Sequence, residues 1–489
     1  MAGAGSRPIR GSGKLIKQLN RSRILECLQQ GEPLSRVELS ERTGISLPAV
    51  SKLVGEMQRE GLVVCVGEGP SSGGRRPMLF AYNSRVAYVI GLDVGATKTA
   101  GGVLDLEGNI LATASIPTHG GAGSADEVLE RVRGLIENLM SQARIDAAKV
   151  MGIGIGVPGI PDPEGRFVAL APGLIQDQSR VVDQAPANGN SALAKTQSAP
   201  ADRQSALAKS ESTPTTWGST TEGGQTPANW RLAAEGGQAP AGYGRTTTDD
   251  GVVPLGEYLR RELGRPVYME NDVNAILRGE VWKGALQGAQ HAVCVTVGTG
   301  IGVGLLVNGQ VYPGARGSAG EIGYWLIGAL GPIARSSGYG PLETFAAGPG
   351  IARRYVARLK ARGGSSVVLD LAGGDMTRIT ARLVAEGAVL GDPLALDVWR
   401  ETAEVLGVAL ANLCCLMDPE VLVVGGGVSR APRELLLDPV RRIVETLVPY
   451  PPRVVPSQLG EHAGILGAVA TVLDSRRSSI SYMTAGVEA

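Results

Sequence analysis

Three apolar runs that are typical of β-strands are each followed directly by a glycine-rich turn, and this arrangement constrains the fold most strongly. The turns are Asp93-Val-Gly-Ala-Thr-Lys98, Val297-Gly-Thr-Gly-Ile-Gly302 and Gly425-Gly-Gly-Val-Ser429. Exposed backbone N–H groups and hydroxyls in such turns suit phosphate oxygens. One such turn is also consistent with a plain hairpin, but three in one chain predict an α/β protein with a phosphate-binding cleft.

A polar stretch lies between the first two turns. Tyr268-Met-Glu-Asn-Asp-Val-Asn-Ala275 places the carboxylate of Asp272 between the amides of Asn271 and Asn274, just after a strand-like run. A carboxylate flanked by amides is able to hold a polyhydroxylated ligand and to accept a proton from one hydroxyl. The sequence therefore indicates either a catalytic base or a contact that only senses the ligand.

The rest of the carboxy-terminal part alternates strand and helix patterns. Predicted strands are 88–92, 150–157, 266–269, 292–297 and 421–424, and predicted helices are 127–142, 255–263 and 275–282. Strands that alternate with helices indicate an α/β architecture.

The amino-terminal part reads as three short helices. The stretch 19–30 is amphipathic, and Ser35 with Glu38 forms a capping-box pair that opens a second helix, which Gly44 closes. A third helix begins at Ser46 and presents Val, Leu and Met side chains on one face. Strands at 62–66 and 77–82 follow, joined by a loop that carries two arginines. The pattern predicts a winged helix-turn-helix unit.

DNA contacts are expected at the start of the third helix, where recognition helices meet base edges, and in the wing loop. The candidate residues are Ser46, Leu47, Pro48, Ala49, Ser51, Lys52, Arg75 and Arg76. Residues 1–85 contain 13 Lys+Arg and 7 Glu, whereas the remainder contains 34 basic and 40 acidic residues. The amino-terminal part, residues 1–85, is called the head and the remainder the body. A basic head joined to an acidic body indicates that only the head binds a polyanion. The alternative is that the helix merely packs and the arginines are solvated.

Length and composition exclude several classes of protein. A chain of 489 residues is longer than a single hydrophobic core usually stabilises, so two or three domains are expected. No apolar run reaches the roughly 18 residues that span a bilayer, and the first residues lack the apolar segment of a secretory signal. The five cysteines lie in apolar segments without CxxC spacing. We therefore expect a cytoplasmic protein without membrane contact, whose thiols are buried.

Residues 176–250 interrupt the pattern, because they contain only five Val, Leu or Ile side chains and repeat the pentapeptide Ser-Ala-Leu-Ala-Lys. Such a segment cannot bury enough apolar surface to offset its ordering entropy. A passive disordered insertion is expected, with a partner-binding role for Trp217, Trp230 and Tyr243 as the alternative. The predicted domains are a flexible amino terminus (1–13), a winged helix-turn-helix (14–85), an α/β body (86–175 and 251–474), the insertion (176–250) and a flexible tail (475–489).

With these pieces placed, the chain resembles the ROK family, which groups sugar-responsive repressors with sugar kinases on the two-lobed actin-like ATPase fold. The resemblance covers residues 14 to about 474, apart from the insertion. Its motifs are Gly74-Arg-Arg-Pro77, Asp93-Val-Gly-Ala-Thr-Lys98, Gly156-Val-Pro-Gly159, Glu270-Asn-Asp-Val-Asn274, Gly298-Thr-Gly-Ile-Gly302, Gly320-Glu-Ile-Gly323, Glu343 and Gly425-Gly-Gly427. The amino-terminal DNA-binding domain is typical of the repressor branch.

The resemblance implies a role for each matching position. The implied sugar contacts are Gly159, Asn271, Asp272, Glu321, Tyr324 and Glu343, with Asp272 as the base that deprotonates the accepting hydroxyl. The implied ATP contacts are Asp93, Gly95, Thr97, Lys98, Gly298, Thr299 and Gly300, with the adenosine near Gly425 and Gly426. Asp93 is also suited to hold Mg²⁺ through water.

Two departures from the family pattern weaken the case for a kinase. Tyr324 stands where the family has a histidine, and Ala334, Ser336 and Pro341 stand where the cysteines of a zinc loop would be. Because these residues are not zinc ligands, no metal site is expected there. Ala96 also replaces a glycine in the first phosphate turn.

Three functions remain in competition. The first is a repressor of carbohydrate-metabolism genes whose body binds a sugar or sugar derivative and whose head binds operator DNA, as a homodimer or homotetramer. The second is an ATP-dependent, hexokinase-type sugar kinase with an accessory DNA-binding domain. The third is a descendant with an empty cleft, which is disfavoured because idle buried carboxylates are costly. We favour the repressor.

Overall fold

The computed structural model describes residues 13–70, 76–118, 125–169, 253–326 and 340–476. The predictions for the first twelve residues, Arg75, the insertion, Ala334, Ser336 and the tail beyond residue 476 lie outside this part of the chain.

The head is a winged helix-turn-helix. Its elements are α1 (Gly13–Gln29), β1 (Leu34–Ser35), α2 (Arg36–Thr43), α3 (Leu47–Arg59), β2 (Val63–Glu68) and β3 (Met78–Tyr82), with the antiparallel strands in the order β1-β3-β2. The predicted capping box is confirmed, because the Ser35 hydroxyl accepts from Glu38 N at 3.2 Å while Ser35 N donates to Glu38 Oε2 at 2.7 Å. Gly44 ends α2 with a φ of 70°. These local signals fix the turn that orients α3.

The first lobe of the body is a mixed five-stranded sheet. Its strands are β4 (Tyr88–Val94), β5 (Lys98–Asp105), β6 (Ile110–Pro117), β7 (Val150–Val157) and β10 (Val267–Asn271), in the order β10-β7-β4-β5-β6. Strands β8 (Ile160–Pro161) and β9 (Val168–Ala169) form a small ribbon beside it, and helices α4 (Ala125–Ala143) and α5 (Leu255–Leu263) bury their apolar faces against it. Because β4, β7 and β10 are parallel, their carboxyl ends meet at one edge.

The second lobe repeats this plan. Its strands are β11 (Ala292–Val297), β12 (Ile301–Val307), β13 (Gln310–Val311), β14 (Val421–Gly425) and β15 (Arg453–Pro456), in the order β13-β12-β11-β14-β15. Its helices are α7 (Pro341–Ala346), α8 (Gly348–Arg362), α9 (Val367–Leu371), α10 (Ala381–Val389), α11 (Pro393–Met417) and α12 (Leu437–Leu447). They share one core with the apolar face of the sheet.

Two further helices, α6 (Asp272–Lys283) and α13 (Ala463–Ser475), pack directly on each other. A Cβ at Gly467 would lie 2.1 Å from the carbonyl oxygen of Ala275, so only glycine permits this approach. Helix α6 also contacts β12 of the second sheet, where a Cβ at Gly302 would lie 2.3 Å from Val273 Cγ2. The helix that begins at Asp272 therefore bridges both sheets.

Three predictions require correction. Cys65 and Cys415 are exposed and Cys27 is half-buried, because β2 is an edge strand and α11 has a solvent face. The helix predicted from residue 275 begins at Asp272, since Asn271 caps it. Helix α13 runs through Ser475, beyond the predicted end of the body at residue 474. Within the described residues, no helix has the length and apolar character needed to cross a membrane.

Candidate functional site

The residues around Asp272 lie where β10 turns into α6. The Asn271 side chain caps α6, because its Oδ1 accepts from Val273 N at 3.1 Å and Asn274 N at 3.3 Å. Its Nδ2 donates to the carbonyl oxygen of Gly159 at 3.2 Å, and Gly159 itself has a φ of 110°. The amide thus ties the end of β10 to the turn after β7. It fixes the first helical turn, in which Asp272 lies.

The carboxyl group of Asp272 is in an acidic and poorly solvated environment. Burial is the largest cause that raises the pKa of Asp272 to about 7, the negative charges of Asp93 and Glu321 contribute to the same shift, and the hydrogen bond from Val273 N opposes it. Burial also raises the pKa of Glu321, with the charge of Glu343 adding to the effect. A carboxyl group whose pKa lies near neutrality is suited to take a proton from a hydroxyl.

Asp93 stands at the end of β4, directly before the first glycine turn. Burial raises the pKa of Asp93, and Lys98 across the turn opposes that shift. The amino-terminal end of α13 lies against the same carboxylate, since a Cβ at Gly464 would be 2.4 Å from Asp93 Oδ2. The structure therefore brings Asp93 and Asp272 close enough for the charge of Asp93 to raise the pKa of Asp272.

The first glycine turn closes a hairpin between β4 and β5. Gly95 N donates to the carbonyl oxygen of Lys98 at 3.0 Å, and the Thr118 hydroxyl donates to the carbonyl oxygen of Gly95 at 2.6 Å. Thr97 and Lys98 are exposed on the turn. Ala96 is not among the non-glycine residues with positive φ in the described chain. The methyl group that departs from the family pattern is therefore accommodated without backbone strain.

Glu343 supports the second glycine turn. Its Oε2 accepts from Ile301 N at 2.9 Å, and Cβ atoms built on Gly300 and Gly323 would lie 2.8 Å and 3.1 Å from it. Burial raises the pKa of this carboxyl group, although the Ile301 hydrogen bond lowers it. Glu343 thus links α7, the turn of residues 298–302 and the Gly323 backbone. The two residues are 42 positions apart in the sequence, and no local sequence pattern predicts their contact.

Glu321 and Tyr324 flank Gly323 in a short 3-10 helix, Ile322–Tyr324, in which Glu321 is the amino-terminal cap residue. Tyr324 is 58% exposed. Its exposure leaves the ring accessible at the surface.

The second and third glycine turns lie side by side. They follow the neighbouring parallel strands β11 and β14, where Thr296 pairs with Gly425. Gly426 has a φ of 91°, and a Cβ there would lie 2.4 Å from the carbonyl oxygen of Val297. A Cβ at Gly298 would meet nothing within 4 Å, and Thr299 beside it is exposed. Open backbone at the carboxyl ends of parallel strands is the usual place for a nucleotide in α/β folds.

The cleft combines open backbone at Gly298 with acidic side chains that include Asp93. Within the described chain, no group of three or more His, Cys, Asp or Glu side chains is arranged to hold a metal. Pro341, one of the three residues at the positions of the zinc-loop cysteines, is the first residue of α7. The open glycine turns and the acidic group around Asp93 fit a polyphosphate with its accompanying cation.

The DNA-binding candidates lie on one end of α3 and on the wing. Ser46, Leu47, Pro48 and Lys52 are exposed, with Leu47 at 43%, while Ala49 and Ser51 are half-buried. The opposite face of α3 buries Val50, Leu53, Val54 and Met57 in the head core, as predicted. Arg76 is exposed at the base of the wing. The solvent-facing start of α3 is therefore available to a partner.

Two structural features of the head were not apparent from the sequence. Arg21 of α1 is 1% exposed and forms a bidentate ion pair with Glu60 next to the end of α3. The head is joined to the body by buried Asp105, whose Oδ2 accepts from the Ser84 hydroxyl at 2.9 Å, and by Leu106 N, which donates to the carbonyl oxygen of Ser84 at 3.0 Å. The junction is a defined set of hydrogen bonds within the folded chain.

Comparison with known proteins agrees with this geometry. The ROK family pattern matches residues 89–196 and 247–475, and a pattern described as winged helix-turn-helix DNA-binding matches residues 19–64. The chain belongs to the ROK family. The predicted family and fold class are thereby confirmed.

Individual relatives extend over most of the chain. A putative xylose repressor of Caldicellulosiruptor sp. is 27% identical and covers 97% of this chain and all of its own length. The glucokinase of Streptomyces coelicolor is 28% identical over 78% of this chain and 96% of its own.

Two solved structures are similar to this one. A ROK family transcriptional regulator, described as a homologue of the Escherichia coli MLC protein, covers 96% of this chain and 99% of its own with a TM-score of 0.66 at 22% identity. A Streptomyces griseus ROK glucokinase in complex with glucose and AMPPNP covers 78% of this chain and 98% of its own, with a TM-score of 0.56 at 27% identity.

Proposed function

We propose that this chain is a sugar-responsive, DNA-binding transcriptional repressor of carbohydrate-metabolism genes. The observation that carries the proposal is the direct hydrogen-bonded junction between a winged head with an exposed recognition helix and a body of sugar-kinase type. A repressor requires both parts, because a ligand changes DNA affinity only by its differential interaction with two states. The relatives named xylose repressors, which match the head and the body together, support the same assignment.

In this proposal the sugar lies against the residues around Asp272. Asn271, Asp272 and Glu321 would offer acceptors for hydroxyl groups, and Glu343 is close enough to Glu321 to raise its pKa. Gly159, which Asn271 contacts, and Tyr324 would complete the sugar contacts. Hydroxyl groups of a sugar would give these clustered carboxylates hydrogen-bond donors, and Asp272 and Glu343 are half-buried in the structure. The ligand class is a sugar or sugar derivative, and D-xylose is the first compound to test.

Helix α6 provides a physical route from the cleft to the head. Its first residue is Asp272, and Trp282 near its end packs on the turn between β5 and β6, where a Cβ at Gly108 would lie 2.7 Å from Trp282 Cη2. That turn begins at Asp105, which binds Ser84 at the base of the head. A ligand that shifts α6 therefore displaces the same turn on which the head is fixed.

The experiment that tests the function measures DNA affinity with and without sugar. Fluorescence anisotropy on duplexes from the gene's own upstream region should give specific binding that falls about 5- to 150-fold with one sugar of a panel of pentoses, hexoses and amino sugars. Lys52→Ala should weaken operator binding and leave sugar binding unchanged. Specific DNA binding that no sugar alters would contradict the sugar-responsive part, and absence of specific binding would contradict the whole proposal.

The proposed route through α6 is tested with Trp282→Ala and the control Lys360→Ala, at an exposed position of α8. The tryptophan variant should still bind DNA and sugar separately, but the sugar should lower DNA affinity at least fivefold less than in the wild type, because the contact with the Gly108 turn is lost. The control should retain the full effect. Equal coupling in both variants would remove α6 as the route while leaving the repressor assignment intact.

A second candidate function is an ATP-dependent sugar kinase. It is favoured by the raised pKa of Asp272 and by the open backbone at Gly298. In this proposal the three glycine turns hold ATP against Asp93, Gly95, Thr97, Lys98, Gly298, Thr299 and Gly300, with adenosine near Gly425 and Gly426. ATP with Mg²⁺ would supply the phosphoryl group, and Asp272 would take the proton of the accepting hydroxyl. Steady ADP release in the presence of one sugar, and its loss in Asp272→Asn, would establish kinase activity. Sugar binding without ADP release would show that the domain binds the sugar but does not phosphorylate it.

A further inference from the structure

A second cavity lies away from the cleft, at the edge of the first sheet where β4, β7 and β10 begin. Its volume is about 400 Å³, within the range of small-molecule sites, and its walls include Ala87, Val150 and Pro266 from the starts of those strands. The cleft residues lie at the opposite, carboxyl ends of the same strands. This cavity is therefore a separate site and does not extend the cleft.

The polar walls of this cavity carry one sign of charge. Lys149, Arg265 and Arg476 line it, and no Asp or Glu is among the described residues that do so. The Arg476 guanidinium is held in place, because its Nε donates to the Tyr268 hydroxyl at 3.0 Å. The floor is apolar and includes Met151. Three cations around an apolar floor suit a small ligand that combines an anionic group with a carbon skeleton.

Three acidic side chains that are close in sequence to the cavity residues have partners of their own. Glu262 pairs with Arg261 at 2.9 Å, and Asp474 pairs with Arg278 at 3.0 Å. The Asp146 carboxylate accepts from Ala148 N at 2.9 Å. Among the described residues, the side chains that line the cavity are therefore cationic or apolar, and an incoming anion would offset the charge of Lys149, Arg265 and Arg476.

The backbone at the cavity contains a β-bulge. Tyr88 pairs with Val150 and Val89 with Gly152, so Met151 is the extra residue of a bulge that lies in the cavity floor. Bulges redirect side chains and are frequent beside functional sites. On the other wall lies Val86, in the short 3-10 helix Ser84–Val86 that joins the head to β4. A ligand here would contact the connection between the two domains.

We propose that this cavity binds a small phosphate monoester of sugar-phosphate size, with the phosphate on Lys149, Arg265 and Arg476 and the carbon skeleton on the apolar floor. A phosphate dianion matches the three cations in charge and in hydrogen-bonding capacity, and Arg recognises it in a bidentate manner. Because the ligand would touch the head connection, binding should also alter DNA affinity; this second effect rests on the proposed repressor function.

The test compares the wild type with Arg265→Gln and with the control Arg362→Gln, which removes an exposed arginine at the end of α8, outside the cavity walls. Calorimetry at constant ionic strength would use glucose 6-phosphate, ribose 5-phosphate and inorganic phosphate, with glucose as the uncharged comparison. At least one phosphate ester should bind the wild type and the control, and its affinity should fall about tenfold or more in Arg265→Gln, as expected for loss of a charged hydrogen-bond donor.

Two outcomes would overturn the proposal. The first is that no phosphate compound binds at 10 mM, or that binding is equal in Arg265→Gln, which would place it elsewhere. The second is that no phosphate ester binds, while Arg265→Gln weakens the binding of nonspecific duplex DNA and lowers the salt dependence of that binding. This result would make Lys149, Arg265 and Arg476 a contact for DNA phosphates. The DNA response to unphosphorylated sugar, measured in the same variants, separates failure of this site from failure of the repressor assignment.

Discussion

The substitution Asp272→Asn should make the protein more stable at neutral pH, because the native carboxylate is costly. Burial and the charges of Asp93 and Glu321 raise the pKa of Asp272 from its ordinary value of 3.8 to about 7. Each pKa unit is worth about 1.4 kcal/mol, so the folded state holds this proton about 4 kcal/mol more tightly than the unfolded chain.

The sign of this effect sets its pH window. Below pH 3.8 the carboxyl group is protonated in both states, and its favourable contribution to stability is fully present. As the pH rises through about 7, the folded protein must ionise the group, and the contribution is lost. Asparagine cannot ionise but keeps an oxygen that accepts from Val273 N. The difference in stability between variant and wild type should therefore grow from near zero at pH 4 to about 4 kcal/mol in favour of the variant at pH 8.

Urea unfolding followed by tryptophan fluorescence at intervals between pH 4 and pH 8 measures this difference directly. Other groups titrate alike in both proteins, so subtraction isolates Asp272 and the carboxyl groups coupled to it. Asp375→Asn is a suitable control, because hydrogen bonds from Thr377 lower the pKa of that exposed carboxyl group and the effect should be small and opposite in sign. A difference that stays constant across this pH range would refute the electrostatic account of the cleft.

Three further predictions follow from single contacts. Gly464→Ala should weaken binding of ATP or sugar at least tenfold while the head still binds DNA in anisotropy assays, because the new Cβ would lie 2.4 Å from Asp93 Oδ2 and displace it. Glu343→Ala should destabilise the body by about 1–3 kcal/mol in urea unfolding, since Ile301 N loses its acceptor, whereas Glu343→Gln should restore most of the loss. Ser35→Ala should cost about 1 kcal/mol of head stability, measured on hydrogen exchange of the head amides, and an unchanged exchange rate would contradict the capping argument.

Elements with strong local signals were predictable from the sequence. The strands Val150–Val157 and Ala292–Val297 and the helix Leu255–Leu263 have the predicted bounds, because glycine, proline or charged residues delimit compact apolar runs. The capping box at Ser35 was equally local. The start of α6 was missed by three residues, since the polar sequence around Asp272 hides a helix whose cap is Asn271.

Contacts between distant parts of the chain were not predictable. Glu343 contacts Ile301 only because α7 packs on the second sheet, and Trp282 contacts Gly108 only because α6 packs against the first lobe. The basic cavity likewise gathers Lys149, Arg265 and Arg476 from three separate segments. Periodicity reports which face of an element is buried but not which other element covers it.

The support of Glu343 explains how the site keeps its shape in a chain whose sequence departs from the family's zinc loop. Its Oε2 accepts from Ile301 N, and Gly340, just before α7, packs so closely on Gly323 that a Cβ there would lie 2.1 Å from the Gly323 carbonyl oxygen. The carboxylate is thus positioned by backbone contacts from both sides. Because these contacts also hold the second glycine turn, a sugar that engages Glu343 acts on the turn proposed to bind phosphate, so sugar and nucleotide binding should be coupled through this one side chain.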